Sequence, residues 1–414
     1  MHFADAHIGM EAYGGLDPAS GLSTRVLDEL RAMDRVIDYA VENKVDLVLF
    51  CGDAYKNREP SQTHQREFAK RIRRLSEASI PTVIVIGNHD LSGSPGKASS
   101  VEIFDTLEVR NIHIAQRPGV LRISTSGGEV QVAVFPWLRR NVLLTKEESK
   151  NLGVKEVTEQ LQNVMSARLV ELAADIDAAK PAILAAHVAV AEARTGTEKS
   201  MIIGNDPVVL LSTIASQAYD YVALGHVHRA QVLCENPPVV YAGSLERLDF
   251  GDEDQEKGFY VVEIEQTGRD RHTHYEFHKI QARRFTTLEI VVGDDDLDPT
   301  GSTVRELTTH SGEINDAVVR IKLSLPAQLV SMLREGEIFK ALKEAYNVSI
   351  AKDIRRSSRR RASGWANETM SPLDALNKYL EVNNVPSERR KKLLEYGEKL
   401  INEQFSSDRG SYAG

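Results

Sequence analysis

Potential metal ligands follow five apolar, strand-like segments of this sequence. In the Asp-x-His and His-x-His pairs, the two side chains point to the same side of an extended chain and can approach one site together. Imidazole nitrogens, carboxylates and an amide oxygen suit divalent ions such as Mn²⁺, Fe²⁺ or Zn²⁺. Seven ligands are too many for one ion but enough for two ions that share a carboxylate, and such a pair clamps a phosphoryl oxygen and acidifies a water molecule. The seven residues are Asp5, His7, Asp53, Asn88, His187, His226 and His228.

Each of these residues, taken alone, is better explained by structure than by chemistry. A single histidine at a strand end is usually a satisfied structural residue, and Asp5 or Asp53 could cap a following helix. The joint pattern favours a site, because five of the 12 histidines lie in these strand-end motifs. The pair His272 and His274 has the same spacing, but no apolar strand leads into its polar run. We therefore expect a solvated strand or turn there.

The alternation of apolar strands with amphipathic helices predicts a layered α/β domain in the first part of the chain. Strand-like runs at 45–51 and 82–86 are separated by helical patterns around 30–41 and 66–75. This rhythm indicates parallel pairing in part of the sheet. The Gly127-Gly128 pair between two further strand-like runs predicts a hairpin, so we expect mixed sheets.

The composition indicates a soluble globular protein with more than one core. A length of 414 residues predicts two or three domains, and 42% hydrophobic with 27% charged residues is ordinary for the class. We find no membrane span and no signal peptide, and two distant cysteines favour a reducing cytoplasm. The first strand, at 1–4, is so short that we expect the native strand to begin upstream of Met1.

Charge is distributed unevenly along the chain. The net charge of -9 argues against a uniformly basic, nucleic-acid-coating surface. The run from Lys352 to Arg361, however, holds one Lys and five Arg against one Asp, or +5. Such a run could grip phosphates, although solvated basic linkers are also common.

The pattern divides the chain into several parts. Ser371, Pro372 and Asp374 have the order of an N-cap, an N1 proline and an acidic N3 residue, which predicts a helix start after the basic run. We predict an α/β domain at 1–266, a small α+β cap domain at 267–350, a basic linker at 351–366, a helix-loop-helix segment at 367–405 and a disordered tail at 406–414.

The ordered set of motifs resembles the calcineurin-like metallophosphoesterase superfamily. Gly87–Asp90 belongs to this superfamily set, whereas the segments Phe3–Gly9 and Ala223–His228, together with Tyr241–Ser244, are similar to those of the SbcD-type DNA repair nucleases and their archaeal and eukaryotic counterparts. The resemblance implies a four-layer α/β/β/α fold with mixed sheets, a DNA-facing cap domain and a C-terminal helical segment. It also implies two divalent ions, most often Mn²⁺. The first would be bound by Asp5, His7, Asp53 and His228, and the second by Asp53, Asn88, His187 and His226.

The resemblance leaves His89 as the catalytic residue beside the ligands. A general acid is useful next to a strongly basic alkoxide leaving group, although His89 could instead only orient Asn88 or the phosphate. Asp90 could hold the His89 ring or cap a turn. Relatives commonly have a histidine where this chain has Lys56, which leaves the balance between exonuclease and endonuclease action open.

The leading hypothesis is a two-metal DNA nuclease that acts on double-strand ends and hairpins in double-strand break repair. By resemblance its partner would be an SbcC-type SMC-like ATPase that docks on the C-terminal helices, and a homodimer would form through surfaces near 61–76 and 91–107. Arg194, Thr195 and Lys199 could touch DNA. The alternatives are a phosphatase or phosphodiesterase for small phosphoesters and a non-enzymatic scaffold that binds DNA ends.

Overall fold

The computed structural model describes the chain in segments. These are residues 1–92, 94, 96–138, 153–195, 207–267, 270–355, 371–382 and 385–407. The chain forms two compact units. The first contains Met1–Leu325 and Ser331–Asp353, and the second contains Pro326–Val330 and Ile354–Gly414.

Seventeen strands are found in the described residues. They are β1 His2–Phe3, β2 Val48–Phe50, β3 Thr82–Val85, β4 Ile112–Ala115, β5 Gly119–Thr125, β6 Gly128–Phe135, β7 Ala182–His187, β8 Ala189–Val190, β9 Val208–Val209, β10 Tyr221–Gly225, β11 Gln231–Glu235, β12 Pro238–Tyr241, β13 Gly258–Thr267, β14 Asp270–Lys279, β15 Phe285–Val291, β16 Val318–Pro326 and β17 Asn347–Arg355.

Ten α-helices are found in the same residues. They are α1 Thr24–Glu42, α2 Gln62–Glu77, α3 Ile103–Thr106, α4 Val154–Ala174, α5 Leu211–Ile214, α6 Pro299–Thr309, α7 Ser311–Ile314, α8 Glu335–Ala341, α9 Pro372–Val382 and α10 Ser387–Ser407.

Two six-stranded sheets form the centre of the first unit. Their orders are β14-β13-β1-β2-β3-β4 and β11-β12-β10-β7-β6-β5, with both parallel and antiparallel neighbours. One apolar cluster, which includes Val83, Ile183 and Ala223, contains residues of both sheets, and two further clusters join each sheet to its own helices. The arrangement is the four-layer α/β/β/α fold with mixed sheets, which confirms the expected fold class.

The helices that flank the first sheet form where the sequence pattern places them. The Ser23 side chain accepts the backbone N–H of Arg25 and so caps α1. Leu30, Met33 and Ile37 then lie on the buried face of that helix. Apolar residues at intervals of three and four give the helix one stripe to bury, and this stripe packs on the sheet.

The segment 270–279 opens the stretch that the sequence assigns to the cap domain, but it does not belong to a separate sheet. As β14 it pairs with β13 along its full length, from Gly258 with Lys279 to Thr267 with Asp270, and so extends the first sheet. Because Thr267 pairs with Asp270, the two strands belong to one sheet and not to two domains. His272 and His274 lie on this strand opposite Glu265 and Glu263, a half-exposed strand as expected.

The smaller sheet consists of β15, β16 and β17. β15 and β16 pair in parallel from Phe285 with Val318 to Val291 with Ser324, which requires the crossover supplied by α6 and α7. A 3-10 turn at Ala327–Met332 and the short α8 follow β16. Residues 351–355 of the predicted linker belong to β17. The rest of that linker lies outside the described residues, and the proposed domain bounds stay predictions.

A buried ion network joins α1 to the start of the smaller sheet. Arg283 contacts Asp28 through two nitrogens, at 2.9 and 2.8 Å, and also pairs with Asp316 just before β16. Arg25, fully buried, lies 3.1 Å from Asp28 and 3.4 Å from Glu246. Burial opposes the charged form of Asp28, but the hydrogen bonds and charges of Arg283 and Arg25 outweigh it and hold the pKa of Asp28 below its usual value.

The second unit contains α9 and α10, which pack against each other. The Ser371 hydroxyl accepts the N–H of Asp374 at 3.2 Å, which confirms the predicted helix start. A Cβ on Gly397 would overlap Leu376, so the two helices approach closely there. Among the described residues, no helix combines the length and the apolar character needed to cross a membrane. Large apolar side chains stay exposed on this pair: Tyr379, Leu393, Tyr396 and Leu400.

Arg283→Met should lower the free energy of unfolding by about 3 kcal/mol, because it leaves the buried Asp28 carboxylate without its two-pronged partner. Urea unfolding followed by circular dichroism measures this. The control Lys322→Met removes an exposed pair with Glu289 and should cost less than about 1 kcal/mol. Equal losses for the two variants would contradict a stabilising role for the network.

Candidate metal centre

The carboxyl ends of five strands bring the seven predicted ligands together. β1, β2 and β3 are parallel in the first sheet, and β7 and β10 are parallel in the second. Nε2 of His7 lies 2.9 Å from Nε2 of His228, and Nε2 of His187 lies 3.0 Å from Oδ1 of Asn88. One carboxylate oxygen of Asp53 is 3.7 Å from His7 and 3.5 Å from His187. Asp53 therefore lies between two groups of nitrogen and oxygen atoms.

The remaining two ligands complete these groups. Nδ1 of His226 lies 3.2 Å from the Asn88 amide oxygen, next to His187. The Asp5 carboxylate accepts the backbone N–H of His226 at 3.1 and 3.2 Å. Carboxylate and imidazole atoms within 4.8 Å of one another form three overlapping groups: Asp5, His7 and His228; His7, Asp53 and His89; and Asp5, Asp53 and His187.

Glycines allow the two sheets to approach at this edge. A Cβ on Gly225 would overlap the Cys51 carbonyl oxygen across the sheets, and one on Gly52 would overlap the His187 ring. A Cβ on Gly87 would overlap the Asp53 carboxylate. Any larger residue at these positions would push a ligand or a strand end away.

Four of the predicted ligands have left-handed backbone conformations. The φ angles are +51° for Asp5, +44° for His7, +58° for Asp53 and +102° for His226. Such conformations cost about 1–3 kcal/mol each and persist only where the surroundings fix them. Here the backbone N–H groups of Asp5 and His7 donate to the Gly52 and Asp53 carbonyls at 3.0 and 3.1 Å. Strain concentrated on candidate ligands is typical of a functional site.

The site favours three neutral imidazoles, those of His7, His226 and His228, and an ion pair between Asp53 and His187. Burial lowers the pKa values of His7 and His226 to about 3 and holds that of His228 well below its usual range. Burial opposes the charge of Asp53, but the positive His187 outweighs it and holds the pKa of Asp53 well below normal. Burial likewise opposes the imidazolium of His187, yet the Asp53 charge raises its pKa to about 9.

The residues fit divalent metal ions. Metal ligands must be deprotonated, as His7, His226, His228 and Asp53 are, and a bound ion would compete with the proton of His187. The atoms that face one another carry lone pairs: Nε2 of His7 lies 2.9 Å from Nε2 of His228, and the Asn88 amide oxygen lies 3.0 Å from Nε2 of His187 and 3.2 Å from Nδ1 of His226. Imidazole nitrogens, a carboxylate and an amide oxygen that converge in this way suit divalent cations. The division of the ligands between two ions stays a prediction.

Asp90 forms hydrogen bonds with the backbone of the two loops that carry Asp53 and Asn88. Its carboxylate accepts the N–H groups of Asp53, Ala54 and Gly87, each at 2.9 Å. Burial and the Asp53 charge raise the pKa of Asp90 to about 6, against the effect of these amides. Of the two roles that the sequence left open, the contacts support capping of a turn. A buried acidic residue three positions after a glycine is a weak sequence signal for this.

His89 lies half-buried beside Asp53. Its backbone N–H donates to Oδ1 of Asp53 at 2.8 Å, and its Nδ1 lies 2.6 Å from the Lys56 carbonyl oxygen. An N–H at Nδ1 therefore donates to Lys56 and leaves Nε2 for another partner. The backbone of Lys56 thus orients the His89 ring.

Two residues near the site were missed by sequence analysis. The Trp137 ring centroid lies 5.0 Å from that of His226 and 6.1 Å from that of His187. The Lys257 ammonium is buried and donates to the His228 carbonyl at 3.0 Å. Trp137 follows the apolar β6 as the ligands follow their strands, which is a usable signal. A lysine gives no such signal, because lysines are almost always exposed.

The residues that the sequence offered as possible DNA contacts make no contact with the candidate ligands among the described residues. The Arg194 backbone N–H donates to Gln231 at 2.8 Å, and Thr195 is half-buried next to it. Lys199 lies outside the described residues, and so does the part of the basic run that follows Arg355.

These features define a metal-dependent phosphoesterase. The calcineurin-like phosphoesterase family model matches residues 1–230, which is more than half of the chain. The chain belongs to this family, and it is a hydrolase that acts on phosphoester bonds with divalent metal ions.

The individual relatives share about a quarter of their residues with this chain over the matched regions. The chain is 24% identical over 300 residues to the SbcD subunit of the nuclease SbcCD from Staphylococcus epidermidis, covering 71% of this chain and 72% of that one. It is 26% identical to the uncharacterized metallophosphoesterase YhaO of Bacillus subtilis, covering 64% and 57%. It is 23% identical to the SbcD subunit of the nuclease SbcCD from Escherichia coli, covering 63% and 64%. The match thus spans less than two thirds of the last two relatives.

Gly87→Ala should lower the affinity for Mn²⁺ roughly 10- to 100-fold, because the new methyl group displaces the Asp53 carboxylate. Isothermal titration calorimetry on EDTA-treated protein measures this. Gly119→Ala is the control, since a Cβ there meets no atom within 4 Å of it among the described residues. An unchanged affinity in Gly87→Ala would show that Asp53 is not a ligand.

Proposed function

We propose that this chain is a two-metal DNA nuclease that cleaves double-strand ends and hairpins in double-strand break repair. The observation that carries the proposal is the convergence of seven candidate ligands from two sheets next to the half-buried His89. The nuclease names of two relatives support DNA over a small phosphoester.

Each ligand group would hold one ion. Asp5, His7, Asp53 and His228 would bind the first, and Asp53, Asn88, His187 and His226 the second, with Mn²⁺ as the expected metal. The bound ions would neutralise phosphoryl charge and supply a nucleophilic water near neutral pH. Asp53 suits the shared position because its carboxylate lies between His7 and His187.

His89 would move a proton to the leaving group. The 3′-alkoxide that departs from a DNA phosphate is strongly basic, so a positioned acid lowers the barrier. The Lys56 carbonyl holds the Nδ1 side of the ring, and Nε2 would carry the transferred proton. The Asp53 carboxylate fixes the His89 backbone, which keeps the ring beside the ligands.

The terminal helices would bind an SbcC-type SMC-like ATPase. Tyr379, Tyr396 and Leu400 are 56%, 68% and 64% exposed on α9 and α10. A two-helix segment has little core of its own, and exposed apolar groups on one small unit are typical of a partner surface.

We further propose a homodimer through the surfaces near 61–76 and 91–107, and a cytoplasmic location.

His89→Ala should lower kcat on DNA by about 10²- to 10⁴-fold while it keeps the Mn²⁺ content, because it removes the acid and no ligand. Single-turnover cleavage and metal analysis of the same sample measure the two quantities. His272→Ala, on the half-exposed β14, is the matched control. His89 also lies within reach of His7 and Asp53, so a metal content that falls as steeply as the rate would make it a ligand instead.

A substrate panel tests the function itself. With Mn²⁺, the protein should cleave linear duplex DNA and a DNA hairpin, and EDTA should abolish both activities. Activity confined to bis-p-nitrophenyl phosphate would replace the nuclease with a small-phosphoester hydrolase. Inactivity on every substrate, with metal bound, would favour a scaffold that binds DNA ends.

A further inference from the structure

A cleft of about 770 Å³ adjoins the metal centre, and Trp137 belongs to both. Its floor is apolar and includes Ile86, Leu91, Leu138 and Val164. Ile86 directly precedes Gly87-Asn88, so the floor continues into a ligand loop. A cleft that begins at a candidate metal centre and is lined in part by apolar side chains suits a planar ring attached to the reacting phosphate.

The Trp137 ring is held in place by both sheets. Its backbone N–H donates to the Ile86 carbonyl at 2.8 Å, which ties the end of β6 to the end of β3. The ring lies at 31° to that of His226 and nearly perpendicular to that of His187. The indole is half-buried, so part of its surface stays accessible.

Positive charge lines the cleft. Lys97, Arg117 and Arg168 are exposed there, against the single carboxylate of Glu102. Lys97 and Arg168 form surface pairs with Glu59 and Glu171, which are weak and exchangeable. Arg117 makes no ion pair or side-chain hydrogen bond with any described residue, so it is available for a phosphate.

We propose that this cleft binds the nucleotide next to the scissile phosphate. Trp137 would stack on its base, and Arg117 would form an ion pair with its backbone phosphate. The inference rests on the proposed nuclease function and adds a subsite to it. Stacking on an indole tolerates every base, because each base has a π face. The subsite would therefore hold a strand end in place without selecting sequence.

Kinetics on paired oligonucleotides test the stacking. One substrate carries normal bases, and the other is abasic at both nucleotides that flank the cleaved bond. Trp137→Ala should lower kcat/KM roughly 5- to 150-fold on the first substrate and less than about twofold on the second. Trp137→Phe, which keeps an aromatic face, should recover most of the loss.

Arg117→Ala tests the phosphate contact. It should raise KM on both substrates alike and weaken the dependence of KM on salt, because it removes a phosphate contact and no base contact. Arg122→Ala, an exposed arginine on β5, is the matched control and should leave KM unchanged. Equal KM values for the two arginine variants would remove Arg117 from the subsite.

Fluorescence gives a readout that needs no cleavage. The chain has two tryptophans, so Trp365→Phe leaves Trp137 as the sole indole. In EDTA, oligo-dT should quench its emission, and an abasic oligonucleotide of equal length should not. Thymidine monophosphate is a third probe, and quenching by it at lower concentration than by oligo-dT would make the occupant a free nucleotide and overturn the DNA subsite.

The outcomes separate the subsite from the function. Equal losses of Trp137→Ala on both substrates would overturn the subsite and leave Trp137 as a support for His226. If the wild-type protein cleaves no oligonucleotide, the proposed function fails, and the quenching alone then decides whether the cleft binds a base. Quenching that does not depend on the base would also overturn the subsite.

Discussion

The Cys51 carbonyl oxygen is the point on which the site depends, because it joins the two sheets. It accepts from Nδ1 of His187 at 2.7 Å, and it lies so close to Gly225 that no Cβ fits between them. Cys51 directly follows β2, whereas His187 and Gly225 end β7 and β10. This contact brings the carboxyl edges of the two sheets, and the candidate ligands on them, close together.

Contacts made to the backbone of the loops that carry the candidate ligands give these ligands their positions. The Asp90 carboxylate gathers three amides, the Lys56 carbonyl orients His89, and the Lys257 ammonium holds the carbonyl of His228. The buried Glu29 likewise accepts the N–H groups that follow the first pair of ligands, at 2.8 and 3.1 Å. Because these contacts involve no metal, the protein alone sets much of the geometry, as a preorganised site requires.

The sequence predicted the candidate ligands better than the residues that hold them in place. Each ligand follows a buried strand such as Thr82–Val85, and the period of apolar residues is a local property that a sequence displays. The roles of Asp90 and Lys257 depend on contacts with distant backbone, which no local pattern records. The sequence placed the segment of β14 in the cap domain at 267–350 because its alternating polar residues resemble any solvated strand, and only its pairing with β13 joins it to the first sheet. The edge strands β4 and β17 lack long apolar runs, and they were missed for that reason.

The separation of the ligands along the chain has a consequence for the order in which the molecule matures. His7 and His228 meet although they are 221 positions apart in the sequence. Such a contact closes a very long loop, so it forms late relative to local helices and hairpins. A chain emerging from the ribosome has no complete centre until β10 and the residues after it have been made. Metal binding at the complete centre therefore follows the docking of the two sheets and does not initiate folding.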